Sequence, residues 1–103
     1  MQLADSEAEL QMSAVAWYEF SRGPRTPEQL SVARSFFFDD GIISFSEELA
    51  GIAGVVFRGI GSPRRRAADV AIGITAAAMG ATLLTRNIND FAGIPNLQLE
   101  AVS

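Results

Sequence analysis

Four oxygen-bearing side chains stand where chemistry is possible: Glu19, Asp69, Asn87 and Asp90. Asp69 opens an apolar, helix-like run, Asp69 to Met79, while Asn87 follows Arg86 and the apolar, strand-like segment Ala81 to Thr85, and Asp90 comes three residues after Asn87. A helix start and a strand end that meet in space would bring Asp69, Asn87 and Asp90 together. Carboxylates and an amide carbonyl gathered in this way suit a hard divalent cation, Mg2+ or Mn2+. Glu19 falls just beyond an earlier strand, among Trp17, Tyr18 and Phe20, at the kind of sheet edge where α/β proteins collect ligands.

Each residue also has a plainer reading. A carboxylate at Asp69 could be a first-turn acid satisfied by backbone N–H groups or paired with an arginine. Asn87 and Asp90 are common turn formers, and Glu19 could be a solvated helix-face acid. Taken together, acids and amides at three strand ends or helix starts favour a cluster. Arg64, Arg65 and Arg66 immediately precede Asp69. They are either a solvated loop or, with Arg86, a surface that steers a phosphate backbone toward the acids. Ser13 and Thr85 are either core residues or hydroxyls near the site.

Composition narrows the chemistry. The chain has 103 residues, no cysteine and no histidine. Disulfides, thiolate metal sites, His-based zinc sites and Ser-His-Asp catalysis are therefore excluded. Formal net charge is −4 and every basic residue is Arg, so bulk charge does not mark a nucleic-acid binder, although the arginine run could. No apolar stretch reaches the roughly 18 residues of a membrane span. The acidic first ten residues lack signal-peptide character. A single domain in the cytoplasm is expected.

The elements that must position these residues can be read in order. Leu10 to Ala16 alternates and predicts a buried strand, with Trp17 to Ser21 a short helix stopped at Gly23-Pro24. Thr26-Pro27-Glu28-Gln29 is a capping box with Pro at the first helical position. Its helix is expected to reach Phe38 on a face of Leu30, Ala33, Phe36 and Phe37. A strand at Ile42 to Phe45 precedes a helix capped by Ser46 that runs to about Arg58. Arg65 to Met79 predicts a helix buried nearly all round, ended by Gly80. Ala81 to Thr85 reads as a central strand, residues 88–91 as a single turn, and Leu97 to Val102 as a last strand. Strands alternating with helices imply an α/β fold, a parallel sheet with helices on both faces.

The run from Ala68 to Glu100, with Thr85-Arg86-Asn87-Ile88-Asn89-Asp90-Phe91 at its centre, resembles the C-terminal half of PIN domains, closest to the VapC-like toxins of prokaryotic toxin–antitoxin pairs. Ser13 to Gly23 resembles that family's second strand and acidic helix. The resemblance spans roughly residues 10–102 and implies a three-layer αβα fold. It implies an Mg2+- or Mn2+-dependent endoribonuclease, commonly dimeric and restrained by a cognate antitoxin. Glu19 matches the family's second acid, Asp69 its third, and Asn87 and Asp90 its last cluster. Cleavage of RNA by a metal-activated water would leave a 5′-phosphate and a 3′-hydroxyl.

The sequence departs from that family at its start. PIN domains begin with a strand ending in the first catalytic Asp, then a helix, and this β-α unit has no counterpart here. Thirteen residues separate Asp5 from Glu19, too few for a helix and a second strand, so Asp5-Ser6 does not supply that Asp. Residues 1–9 read as the tail of a preceding helix or loop, and the fold as incomplete at its N-terminus. The expected function is an endoribonuclease left weak or inactive by the absent Asp. The alternative is a non-catalytic PIN-like remnant that dimerises or binds an antitoxin. A missing central strand would expose edges for pairing, and a homodimer formed by strand exchange is one consequence.

Overall fold

A computed structural model describes residues 2–4 and 10–102, with side chains from residue 10 onward. Strand β1 (Gln2–Ala4) is followed by β2 (Leu10–Ser13), α1 (Ala14–Ser21), α2 (Pro27–Arg34), β3 (Ile42–Ile43) and α3 (Glu47–Gly59). A 3-10 turn at Arg64–Arg66 leads into α4 (Ala67–Ala78), then β4 (Thr82–Thr85), a second 3-10 turn (Ile88–Phe91) and β5 (Gln98–Ala101). The sheet order is β3-β2-β1-β4-β5.

The sheet is mixed, not wholly parallel. Strands β2 and β3 pair in parallel, as do β4 and β5, but β1 runs antiparallel to both of its neighbours, β2 and β4. Gln2–Ala4 is therefore the central strand, which corrects, for these three residues, the expectation that residues 1–9 form a helix or loop tail. The physical reason is connection length. A parallel crossover needs a dozen or more residues, whereas only a hairpin-length connection separates β1 from β2, so pairing must be antiparallel. The gap expected between β2 and β4 is filled by the chain's own strand. Asp5 and Ser6 lie outside the described residues.

Local hydrogen bonding moved two boundaries. Helix α1 starts at Ala14, not Trp17, because the buried Ser13 hydroxyl accepts from the Ala16 N–H at 3.0 Å. An N-cap of this kind contributes about 1 kcal/mol and outweighs the weak alternation of a short segment. Helix α2 has the expected capping box: Thr26 Oγ1 accepts from the Gln29 N–H and Gln29 Oε1 accepts from the Thr26 N–H. It stops at Arg34 instead of Phe38. The Ser35 hydroxyl donates back to the Val32 carbonyl, and the Arg34 guanidinium binds the carbonyls of Phe37, Phe38 and Asp39. Of the expected apolar face only Phe37 is buried, and Phe36 is 68% exposed.

Helix α4 behaves as its composition demands. Val70 through Ala76 are all buried, including Ile72 and Ala76 at 0% exposure, and the helix packs on α3, α1 and β4. It ends in a left-handed Gly80 (φ +65°), where the Ala81 N–H reaches back to the Ala76 carbonyl. Gly73, one turn after Asp69, permits close approach. A Cβ there would stand 2.7 Å from Ile94 Cδ1, 3.2 Å from Leu97 Cδ2 and 3.5 Å from Phe91 Cδ1. The segment carrying Asp90 thus lies flat on α4. Replacing Gly73 with Val is expected to cost about 1–3 kcal/mol by overpacking, beyond its small gain in helix propensity. Urea unfolding measures this, and an unchanged midpoint would mean the 91–97 segment is not held against the helix.

Candidate metal centre

The site grows from two neighbouring turns. At one, the 3-10 turn Arg64–Arg66 delivers the chain into α4, and Asp69 sits in its first turn. At the other, β4 ends in the buried Thr85, whose hydroxyl accepts from the Asn87 N–H at 3.0 Å and bends the chain out of the sheet. The Asn87 carbonyl then accepts from the Asp90 N–H at 3.2 Å, and Phe91, 1% exposed, drives the turn into the core. Asp69 and Asp90 line one opening of about 470 Å3 with Pro63, Arg64, Arg65 and Arg66.

Burial raises the Asp69 carboxyl above its ordinary value of 3.8, and the negative charges of Asp90 and then Glu19 push it further up. Arg66 opposes them. Desolvation and like charge are both penalties on the ionised form. A divalent cation at the opening would relieve them. Mg2+ is often held by one or two carboxylates with waters and substrate phosphates, so two acids beside a cationic rim fit this kind of ion. Among the described residues, no group of three or more acidic side chains converges on a single ion-sized position.

The other expected ligands stand further out. Glu19, half-buried on α1, has a carboxylate oxygen 3.9 Å from the Arg22 guanidinium and does not line the opening, although its charge is felt at Asp69. Asn87 is exposed, and its backbone builds the turn. Arg64 and Arg65 are exposed at the rim and Arg86 is exposed after β4, whereas Arg66 is half-buried. Thr85 and Ser13 shape the backbone as turn and cap. Gly73 shares a helix face with Asp69, one turn on, and nothing in the sequence marks the close approach of Phe91, Ile94 and Leu97 to it.

A separate groove of about 410 Å3 lies between α1 and α2, lined by Met12, Trp17, Phe20, Val32 and Phe36 among others. Apart from Glu28 and Gln29 it is apolar, and it shares no lining residue with the opening at Asp69 and Asp90. No helix among the described residues is long and apolar enough to cross a membrane.

No protein-family model matches this sequence, and no curated protein matches it. Among solved structures, a chain in the crystal structure of VapBC2 from Rickettsia felis bound to a DNA fragment from their promoter has a similar fold. The TM-score is 0.65 at 26% identity, covering 90% of this chain and 74% of that one. Over nearly all of its length, then, the chain has a mixed α/β architecture of VapC-like, PIN-like kind.

Proposed function

We propose that the chain is a VapC-like toxin acting as a divalent-cation-dependent endoribonuclease of reduced strength. The observation that carries this reading is the pair Asp69 and Asp90, which line one opening beneath the cationic rim of Arg64 and Arg65. The two carboxylates would hold Mg2+ or Mn2+, and Glu19, whose charge is felt at Asp69, and Asn87 would act, if at all, through intervening water. When bound, the cation would supply an acidified water and neutralise charge on the phosphate. The residues of the chain do the rest. Arg64, Arg65 and Arg86 would attract the RNA backbone, and Asp69 and Asp90 would hold the cation at the opening that the phosphate approaches. Water adds to phosphorus as the bond to the 3′ oxygen breaks, and that oxygen takes up the proton.

The fold likeness to a VapBC2 chain supports an antitoxin as partner and a toxin-like role in the cytoplasm. A three-layer αβα arrangement and a homodimer belong to the same reading. Strand exchange is not required for that dimer, because β1 already occupies the middle of the sheet. The deciding assay is cleavage of RNA by the purified chain with Mn2+ and with EDTA. Mn2+-dependent cleavage abolished by EDTA is expected; no cleavage and no Mn2+ binding would overturn the catalytic reading. The apolar groove between α1 and α2, and the spread of the acids, favour a second reading in that case: a non-catalytic module that binds an antitoxin.

Arg64→Gln combined with Arg65→Gln should weaken RNA binding at low salt. The plot of log affinity against log salt should become shallower by roughly 0.7 for each phosphate that is no longer neutralised. An unchanged slope in filter binding would return these side chains to an ordinary solvated loop.

A further inference from the structure

The three arginines of residues 64–66 look equivalent in the sequence, but the structure divides them. Arg64 and Arg65 are exposed, whereas Arg66 is half-buried and turned inward. Its Nε donates to the Asp90 carbonyl at 2.8 Å and a terminal guanidinium nitrogen donates to the Ala92 carbonyl at 2.6 Å. These partners are 24 and 26 residues away in sequence. We infer that Arg66 is a positioning residue that clamps the Asp90 turn to the start of α4 and so sets the two aspartates against one opening.

The physical argument rests on what this turn lacks. Ile88–Phe91 is a single 3-10 turn, and the hydrogen bonds at its two ends, Asp90 N–H to the Asn87 carbonyl and Ala92 N–H to the Asn89 carbonyl, are 3.2 and 3.3 Å long. Such a short piece does not hold itself. Its last carbonyls have no partner within the turn and carry the negative end of its dipole. Phe91 anchors the apolar side in the core; on the polar side the guanidinium supplies both missing donors at once. Arg66 is also only three residues before Asp69, so one side chain spans the two turns that carry the acids. The planar fork of Arg reaches two carbonyls together, and the point charge of Lys does not. Arg66 is thereby occupied with backbone, leaving phosphate attraction to Arg64, Arg65 and Arg86.

This role rests on the proposed metal centre for its functional meaning, but it can be tested without it. Amide hydrogen exchange of the full chain should rise at Asp90 and Ala92 in Arg66→Met, by at least about tenfold, as charge-assisted bonds are lost. Arg66→Lys should recover this only in part, and Arg65→Gln should leave it unchanged. Mn2+ affinity, followed by the electron paramagnetic resonance of the free ion, should fall by about 10–100-fold in Arg66→Met, as for other groups that orient ligands. Unchanged exchange at both amides, or full recovery by Lys, would overturn the clamp. Wild-type protein that binds no Mn2+ would instead sink the metal reading, with the exchange comparison still deciding the role of Arg66.

Discussion

Asp69→Asn should abolish Mn2+-dependent RNA cleavage while making the metal-free protein more stable. Groups that merely orient a metal ligand cost 10–100-fold when removed, so loss of the ligand itself should cost at least about a hundredfold. The stability effect has the opposite sign because the folded state penalises the charge at this position. Burial first, then Asp90 and Glu19, raise the folded-state value of the carboxyl above its ordinary 3.8. Between those two values the native state binds more protons than the unfolded state, so stability falls as pH rises through the window. Above it the penalty is constant, and below 3.8 it is absent. The Asn variant lacks this limb and should melt higher at neutral pH without metal. Saturating Mn2+ should raise the melting temperature of the wild type and leave that of the variant in place. Thermal melts from pH 3 to 8, with and without Mn2+, carry the test. A variant less stable than wild type at every pH would mean that the carboxylate is held by favourable partners instead.

Phe91→Ala should be the most damaging single substitution in the neighbourhood. The ring is 1% exposed and belongs to the same core cluster as Ile72, Leu83 and Ile94. Truncating a buried Phe costs about 3–5 kcal/mol, through lost transfer energy and the cavity left behind. A domain of this size has about 5–15 kcal/mol in total, so much of its stability would go. Asp90 would also lose the apolar anchor beside it, leaving only the Arg66 clamp. Urea unfolding should show the midpoint collapse, and Phe91→Leu, which refills most of the volume, should recover the larger part. A loss below about 1 kcal/mol would mean that the turn is pinned from its polar side alone.

Much of the architecture was legible along the chain. The capping box at Thr26 and Gln29, the Ser46 cap, the Gly80 terminus and the all-round burial of α4 are local signals, set by side chains a few residues apart. The pairing of Asp69 with Asp90 at one opening was also readable, because a strand ending beside a helix start is a rule of α/β folds. Where reading failed, a nearby hydrogen bond won over a weak pattern. Ser13 capped α1 inside an apparent strand, and Ser35 with Arg34 ended α2 a turn early.

The sequence by itself determined the chemistry available: hard oxygen ligands, no imidazole, no thiolate, and arginines as the sole cations. It also determined the capped starts of α2 and α3 and the glycine end of α4, since caps act over three or four residues. Only tertiary structure decided the rest. Gln2–Ala4 has too few residues to show a strand period, and it becomes the central strand because β2 and β4 each offer it a ladder. Gly73 is one glycine among several until Phe91, Ile94 and Leu97 come to rest on it. Arg66 is one of three identical neighbours until two carbonyls, 24 and 26 residues on, select it for their clamp. Those distinctions arise between residues distant in sequence, and their energies exist only once the sheet has brought the partners together.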